Sequence, residues 1–425
     1  MSQPLDPAPT QPILDAILAA RRQAILFRQI VPPNHDPAHL SFFGGLPIAP
    51  SGFPWPRGES RPHSFVMQVD CSAVPADGRL GMFPDLGVLY VFLNLVWDYE
   101  WGYEDKFRVI WEPGPSQGWA EIPPPDDLPP IFDSKLAWKW PQSDADWPRL
   151  LPKWPFDPVV IHGGPLPDDQ EALEETYAWP GTIYPHGAIP LIEGAVVQHL
   201  RFRYQGSKPT KDRPFADFPH DWNAVRITTG LIANGMEQEI SVARNRHFRE
   251  LSDKEYDAKV AEIKAALRYW SDRALAASPF AEVLPVERDQ FWSWLEENDW
   301  LNDWLIDPPV THAAELSVEA SLSASPEAAS RIPPDVIDYI RSRHALASKM
   351  EVGAHIKTPD RMLAAPVDLQ FDIYERVREF LLLLELSSDE GVAHYFGGGV
   401  YQFWIRPEDL AARRFDRVEL STTFR

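Results

Sequence analysis

The stretch at residues 42–92 constrains the fold of this chain more than any other part of the sequence. It contains a Gly44-Gly45 turn, the run Phe53-Pro54-Trp55-Pro56 and a short apolar segment centred on Gln68. Glycine and proline interrupt chains at turns, whereas β-branched and aromatic residues favour strands. The stretch therefore predicts short β-strands that are separated by turns.

A longer apolar run follows the turn at residues 84–87. Residues 88–96, VLYVFLNLV, are almost continuously apolar, which is typical of a central strand covered on both faces. Residues 107–111, FRVIW, alternate in polarity and predict a half-buried neighbouring strand. Further strands are predicted at residues 158–162 and 195–204.

Residues 112–167 contain more than a dozen prolines together with five tryptophans. Proline lacks the backbone donor that helices and central strands need, yet so many tryptophans are unusual in a solvated linker. We predict a long ordered loop that its tryptophans hold against the protein surface.

Residues 10–30 carry apolar side chains at helical spacing. Thr10 can cap a helix and Pro12 lies in its first turn, while Val31-Pro32-Pro33 ends it. The pattern predicts an N-terminal amphipathic helix within an arm at residues 1–40.

After Gly230 the composition shifts towards helix-forming residues. Ser252 and Glu255 have the spacing of a capping box, ahead of a helix with an apolar stripe. Further helices are predicted at residues 286–294, 313–322 and 334–346. Together these segments predict a helical insertion at residues 231–349.

The C-terminal part returns to strands and repeats the opening stretch. Residues 67–70 (MQVD) align with 384–387 (LELS), and residues 87–92 align with 399–404. We predict an α+β fold with a duplicated antiparallel β-sheet core, an N-terminal helix and a helical insertion. The predicted domains are residues 1–40, 41–230, 231–349 and 350–425.

The chain is acidic, with a formal net charge of −22 over 425 residues. Such a surface repels phosphate polymers and anionic membranes, so we expect neither nucleic acid nor a membrane as partner. Cys71 is the single cysteine, which rules out an intrachain disulfide and a cysteine-based zinc cluster. The sequence shows no secretory signal and no apolar run of membrane-spanning length, so a cytoplasmic location is expected.

As an ordered set, several motifs resemble the YwqG-like family. They are Gly44 to Pro47, Trp55-Pro56, residues 65–70 and 87–92, Arg361-Met362-Leu363, residues 381–389, Phe396 to Val400, Phe403-Trp404-Ile405 and Glu408 to Leu410. The resemblance covers residues 40–112 and 355–418, and the proline-rich loop and the helical block look like elaborations. It implies an α+β fold rich in antiparallel strand pairs in a soluble bacterial protein, but no reaction and no cofactor. Some relatives are suspected of neutralising toxins or of binding other proteins.

Residues 114–118 have the letters of a G-x-S-x-G nucleophile elbow around Ser116, and His162-Gly163-Gly164 resembles an oxyanion-hole turn. An elbow must lead directly into a helix, but this chain continues with GWAEIPPP. The histidine should also precede the serine. We therefore expect no hydrolase built on Ser116.

His35 and His39 have the i, i+4 spacing of metal ligands on a helix. Pro37 lies between them and disfavours that helix, so a solvated loop is the preferred interpretation. No metal site and no cofactor are predicted.

Gln68 and Asp70 share one face of a predicted strand, with Glu385 as the counterpart in the second copy. These side chains can line a cleft between the repeats, or Gln68 can instead satisfy a buried backbone group of the glycine- and proline-rich loop. Asp98 and Trp101 belong to an acidic and aromatic group that can bind a cation or a sugar, or form a solvated hairpin tip.

No nucleophile–base pair, carboxylate pair or set of metal ligands emerges from the sequence. The leading hypothesis is a cytoplasmic, non-catalytic binding or protein-interaction module that can act by neutralising a toxin. The alternative is a hydrolase that acts in a cleft between the two β repeats. The candidate ligand-binding residues are Gln68, Asp70, Glu385, Trp55, Asp98 and Trp101.

Overall fold

The computed structural model describes residues 19–20, 23–34, 36–95, 106–131, 148–162, 215, 217–248, 250–298, 309–343, 360–366, 376–392, 394 and 399–423. The chain divides into two compact units. The first, called the sheet unit below, comprises residues 1–129, 150–199 and 341–425, and the second, the helical unit, comprises 130–149 and 200–340. The helical unit thus begins before the predicted insertion at 231–349.

A ten-stranded antiparallel sheet forms the sheet unit, in the order β12-β11-β10-β9-β1-β8-β2-β4-β5-β6, beside a separate pair β3-β7. The strands are β1 Gln23–Gln29, β2 Phe42–Phe43, β3 Ile48–Ala49, β4 Ser64–Asp70, β5 Val88–Leu93, β6 Phe107–Glu112, β7 Ala120–Glu121, β8 Trp154–His162, β9 Arg361–Ala364, β10 Leu381–Ser387, β11 Val400–Ile405 and β12 Glu419–Thr423. Mixed helices and strands confirm the α+β class. The predicted strands at 88–96, 107–111 and 158–162 are present at least in part, while the strand predicted at 195–204 lies outside the described residues.

The predicted N-terminal helix over residues 10–30 is wrong for its second half. Gln23–Gln29 is strand β1, which pairs with β8 on one side and β9 on the other. Of its seven residues only Arg28 is exposed. A strand covered on both faces has no two-residue alternation, so its apolar run can fit a helical spacing by chance. Residues 1–18 lie outside the described part of the chain.

The β1–β8 pair divides the sheet into two halves of five strands each. One half runs β8-β2-β4-β5-β6, and the other runs β1-β9-β10-β11-β12. Gln68 of β4 pairs with Tyr90 of β5, and Glu385 of β10 pairs with Gln402 of β11. The register of the two strand pairs shifts between Phe65 and Met67 in one half and between Leu382 and Leu384 in the other.

The sheet curls until strands from its two halves touch. The Phe107 ring of edge strand β6 lies edge-on to the Phe403 ring of β11, with centroids 5.7 Å apart. Trp111 of β6 similarly packs against Phe415, at 6.1 Å. The right-handed twist of neighbouring strands accumulates across a wide sheet and brings its ends together. The sheet is therefore nearly barrel-shaped.

Strand β8 begins inside the segment that was predicted as an irregular loop. Trp154 is fully buried, and Pro155 and Pro158 occupy paired positions opposite Phe42 and Phe27. The Pro155 carbonyl accepts a hydrogen bond from Ile30 N at 2.9 Å, so proline takes part in the ladder as an acceptor only. The loop prediction is therefore wrong for residues 154–157, while the strand predicted at 158–162 is confirmed as the second part of β8.

The helical unit contains α1 Trp222–His247, α2 Asp253–Ala276, α3 Pro285–Glu297, α4 Pro309–Ala324, α5 Pro326–Ala329 and most of α6 Pro334–Arg343. The sheet unit adds two short helices, α7 Arg376–Glu379 and α8 Pro407–Ala411. Helices α2, α3, α4 and α6 confirm the sequence predictions, whereas α1 was not predicted. Trp270 of α2 contacts Phe291 of α3 edge-to-face, with centroids 5.0 Å apart, so the two helices share an aromatic core.

The capping box predicted from Ser252 and Glu255 is present at the start of α2. Glu255 Oε2 accepts from Ser252 N at 2.8 Å, which satisfies a backbone donor that the helix itself leaves unpaired. We expect Ser252→Ala to lower the free energy of unfolding by about 1 kcal/mol. Urea denaturation followed by helical circular dichroism measures this loss, with Ser271→Ala inside the same helix as the control. An equal loss in both variants would contradict a role in capping.

Candidate functional site

Gln68 holds the glycine- and proline-rich loop against the sheet. Its side chain is fully buried, its Nε2 donates to Leu40 O at 2.9 Å, and its Oε1 accepts from Ile48 N at 2.9 Å. The hydroxyl of Tyr90, the residue paired with Gln68, donates to Ile48 O at 2.7 Å. Of the two sequence interpretations of Gln68, satisfaction of buried backbone groups is therefore the one seen in the structure.

Trp55 lies in the same loop and helps to close this face of the sheet. Its Nε1 donates to His63 O at 2.8 Å, and its ring edge meets Phe92 with centroids 5.5 Å apart. Phe53 packs against Tyr90 at 4.9 Å. A cluster of buried aromatic and aliphatic residues thus covers the sheet here, and the half-buried indole packs against it.

We expect Gln68→Leu to lower the free energy of unfolding by about 1–3 kcal/mol, because it leaves Ile48 N and Leu40 O buried without their partner. Chemical denaturation measures the loss, and Gln68→Glu provides a second variant, since a carboxylate can still accept from Ile48 N. A Gln68→Leu protein as stable as the parent would mean that this amide does not hold the loop.

Asp70 acts locally at the end of β4. Its Oδ1 accepts from Ser72 N at 2.9 Å and from Ser72 Oγ at 2.8 Å, which caps the 3-10 turn at Cys71–Ala73. Side chains that cap a turn in this way satisfy backbone donors of the next residues. Asp98 and Trp101 lie outside the described residues.

Glu385 belongs to a buried polar network in the second half of the sheet. Arg361 Nη2 lies 2.7 Å from Glu385 Oε1, and both side chains are 0% exposed. Gln402 Nε2 donates to Glu385 Oε2 at 3.0 Å. Trp404 Nε1 donates to Ser421 Oγ at 2.8 Å, and Ser421 Oγ donates to Gln402 Oε1 at 3.4 Å. A carboxylate and a guanidinium thus lie together inside the protein, and a neutral amide hydrogen-bonds the carboxylate.

Gln68 and Glu385 occupy corresponding positions but do not lie on adjacent strands. Four strands, β9, β1, β8 and β2, lie between β10 and β4 in the sheet order. Phe42 pairs with Gln68, whereas Arg361 pairs with Glu385. One half therefore carries a phenyl ring where the other carries a cation. The sequence analysis did not select Arg361 as a site residue, although a lone arginine in the apolar segment RMLA was a usable signal.

A second buried group of polar residues surrounds His394. Burial lowers the pKa of the His394 imidazole to about 4, and nearby Asp389 opposes that shift only in part. The backbones of Asp389 and His394 exchange hydrogen bonds of 3.0 and 2.8 Å. Gln29 Nε2 donates to Asp389 Oδ2 at 3.3 Å, and Phe43 meets the imidazole edge-on at 5.4 Å. His394 is therefore neutral in the folded protein at neutral pH.

Ser116 lies in a turn, and its surroundings are not those of a catalytic serine. Trp119 N donates to Ser116 O at 3.1 Å, and the short strand Ala120–Glu121 follows. No helix starts behind the serine, which confirms the argument against an elbow. His162, at the end of β8, places its Nε2 2.9 Å from Asp77 Oδ2 on the surface.

The helical unit holds a serine, a histidine and an aspartate together, but not as a catalytic triad. His220 Nε2 lies 3.1 Å from Ser321 Oγ and 3.3 Å from Asp221 Oδ2. In a triad the serine and the carboxylate hydrogen-bond to opposite nitrogens of the imidazole, whereas here both lie next to Nε2. Asp221 Oδ1 also accepts from Ala224 N as the cap of α1. The cluster therefore ties α4 to the start of α1.

The described residues provide neither a reactive cysteine nor a cluster of metal ligands. Burial raises the pKa of the Cys71 thiol to about 12, so the thiolate needed for nucleophilic attack does not form at neutral pH. No group of three or more potential metal-ligating histidine, cysteine, aspartate or glutamate side chains occurs in the described ranges. His35 lies outside them, and His39 Nε2 contacts Phe156 O at 2.9 Å.

Among the described residues, the exposed large apolar side chains lie mainly in the helical unit. Tyr269, Leu275, Leu284 and Val286 are exposed there, while Leu86 is exposed in the sheet unit. Val286 also starts an open groove of about 590 Å³ along α3. The groove is lined by Val286, Asp289, Gln290, Ser293, Trp294 and Glu297.

The sequence matches the model of one protein family, described as a domain of unknown function (DUF1963), over residues 41–184 and 243–422. The chain belongs to the DUF1963 family. This confirms the resemblance to YwqG-like proteins, whose family is DUF1963. The match also takes in most of the helical unit, so the helices of residues 243–343 are part of the DUF1963 pattern. No curated protein matches the chain.

None of the helices in the described ranges combines the length and the apolar character that crossing a membrane requires.

Proposed function

We propose that this DUF1963 protein is a cytoplasmic, non-catalytic module that binds another protein, with neutralisation of a protein toxin as one form of that activity. The observation that carries the proposal is the position of the exposed large apolar side chains. Four of the five among the described residues lie on α2, on α3 or at the cap of α3. Helices α2 and α3 pack against each other through Trp270 and Phe291, and exposed apolar side chains on such a helix pair can provide a protein-interaction site.

The polar residues of the sheet unit support the same proposal. The candidate site residues Gln68, Asp70 and Glu385 each make structural contacts in the folded protein. Gln68 holds a loop, Asp70 caps a turn, and Glu385 neutralises a buried arginine. The net charge of −22 further favours a basic or neutral protein over nucleic acid or an anionic membrane.

We also propose that the sheet arose by duplication of a five-strand unit. In both halves the four outer strands follow one another outward in chain order from the β1–β8 pair, β2-β4-β5-β6 on one side and β9-β10-β11-β12 on the other. Residues aligned in sequence hold the same register, and the register shift falls at the same place in both. Two strand pairs with the same register and the same register shift are stronger evidence for duplication than a similar sequence alone.

Affinity capture with a tagged full-length chain tests the binding proposal. We expect one dominant protein in native cell extract to co-purify with the parent chain and to be lost with Val286→Asp. Leu86→Asp is the matched control, because it places the same charge at an exposed apolar position of the sheet unit. Capture of no protein, or equal loss in both variants, would contradict a binding surface on the helical unit.

A further inference from the structure

We infer that residues 413–417 form a strap that closes the sheet unit and opens while the rest of the sheet stays folded. The strap lies between α8 and β12 in the chain. Its opening would uncover Cys71 and the part of the Trp111 ring that the strap covers in the closed form.

The sheet closes on itself through side chains and not through a continuous ladder of hydrogen bonds. Strands β6 and β12 lie at opposite ends of the sheet order, so they are not paired with each other. Phe107 of β6 contacts Phe403 of β11, and residues 415–417 pack along β6. The strap therefore contributes directly to the contact that joins the first and last parts of the sheet.

Two side chains of the strap reach the first half of the sheet unit. Arg413 Nη1 donates to Met82 O, and the Phe415 ring, 4% exposed, packs on Trp111 with centroids 6.1 Å apart. In the described part of the chain, the hydrogen bonds between the strap backbone and other backbone groups stay within residues 409–418. A segment with few nonlocal contacts belongs to the parts of a protein that open at the lowest free energy.

Backbone strain is present on both sides of this contact. Leu80, with φ of 54°, and Arg413, with φ of 63°, are two of the three described non-glycine residues in the left-handed region. Residues with a Cβ atom adopt that conformation at a cost in free energy. Leu80 belongs to the turn that also contains Met82, the acceptor of the Arg413 guanidinium. Strain at the contact lowers the free energy needed to open it.

Cys71 is a natural probe of the strap. It is the single cysteine of the chain and is 0% exposed. Burial raises the pKa of its thiol to about 12, while Arg413 and Trp111 act in the opposite direction, so the thiol lies close to both side chains. Because only the thiolate attacks a disulfide reagent, such a reagent modifies Cys71 when the protein opens around it.

The rate at which dithiobis(nitrobenzoic acid) modifies Cys71 in the native full-length protein tests the inference. Opening of the strap exposes little surface, so the rate should be nearly constant at low urea, whereas labelling through global unfolding would rise steeply. In water we expect labelling at least about tenfold faster than the global unfolding equilibrium allows. That equilibrium is measured on the same protein by near-ultraviolet circular dichroism.

Variants then locate the opening. Arg413→Gln should speed labelling by about tenfold, because it removes a hydrogen bond with a charged donor across the contact. Phe415→Leu, which removes the aromatic contact with β6 but keeps an apolar side chain, should act in the same direction. Arg417→Gln is the matched control, since the Arg417 guanidinium lies 3.8 Å from Asp416 with both side chains exposed, and its rate should stay within about twofold of the parent. Circular dichroism confirms that each variant keeps the parent fold.

A labelling rate that rises with urea as steeply as global unfolding at every concentration would overturn the inference, since Cys71 would then react only in the unfolded chain. Equal acceleration by Arg413→Gln and Arg417→Gln would contradict the role of the contact with Met82. Fast labelling that neither Arg413→Gln nor Phe415→Leu changes would show that the protein opens elsewhere in the sheet unit, and the strap would be excluded.

Discussion

Arg361→Met should lower the free energy of unfolding of the sheet unit by about 3–5 kcal/mol, because removal of one partner of a buried ion pair leaves the other charge uncompensated. Glu385, 0% exposed and 2.7 Å from the guanidinium, would remain within the sheet with Gln402 as its remaining described neutral donor. Urea denaturation followed by near-ultraviolet circular dichroism measures the loss.

A double variant distinguishes the destabilisation by an uncompensated buried charge from the net contribution of the ion pair to stability. Since two apolar side chains of similar volume can replace a buried pair at little cost, Arg361→Met with Glu385→Leu should recover most of the lost stability. Arg376→Met is the exposed control: Arg376 Nη1 lies 2.9 Å from Glu419 Oε2 with both side chains partly exposed, and its loss should stay below about 1 kcal/mol. A double variant as unstable as the single one would show that shape, and not charge, governs this position.

The stability of the protein should depend on His394 between pH 6.5 and pH 4. The pKa of this buried imidazole is about 4 in the folded protein, below the ordinary value of 6.5. In that interval the unfolded chain binds the proton and the folded protein does not, so acidification favours unfolding. The neutral histidine's contribution is complete above pH 6.5 and is lost progressively as the pH falls to 4, with a total effect on the order of 3 kcal/mol.

Comparison of the parent with His394→Gln isolates the contribution of His394 to the pH dependence of stability, because the other titrating groups are common to both proteins. The difference in their free energies of unfolding should change with pH across the interval and become constant above it. Phe43→Leu, which alters a neighbour of the ring without removing a titrating group, should give a difference that is nearly the same at each pH. A His394→Gln difference that is flat from pH 4 to 7 would disprove the role of this histidine.

Local signals in the sequence were enough for several elements. Strand β5 followed from its continuous apolar run, and the start of α2 followed from the Ser252 capping box. Both features depend on residues a few positions apart, so propensity and spacing determine them. Helix α1 was missed because Thr228, Thr229 and Gly230 disfavour a helix interior. In the structure the two threonine hydroxyls bond back to Ala224 O and Val225 O, which satisfies them within the helix.

The candidate sites depended on pairings between distant residues, which the sequence does not display. The role of Glu385 is set by Arg361, and their contact exists because β9 and β10 pair in one particular register. Gln68 was interpreted correctly only as one of two alternatives, because its partners Leu40 and Ile48 come from a loop whose path is not local to β4.

Strand β1 has a consequence for the order in which the chain can acquire its structure. Its neighbours are β8 and β9, and Leu26 is paired with Arg361, more than 300 residues later. During synthesis β1 can therefore pair with β8 once residue 162 is made, whereas its other edge waits for β9, near residue 361. Pairings of such long range slow folding and leave apolar strands open to aggregation. This sheet should depend strongly on help from chaperones, and its yield from refolding should fall steeply as protein concentration rises.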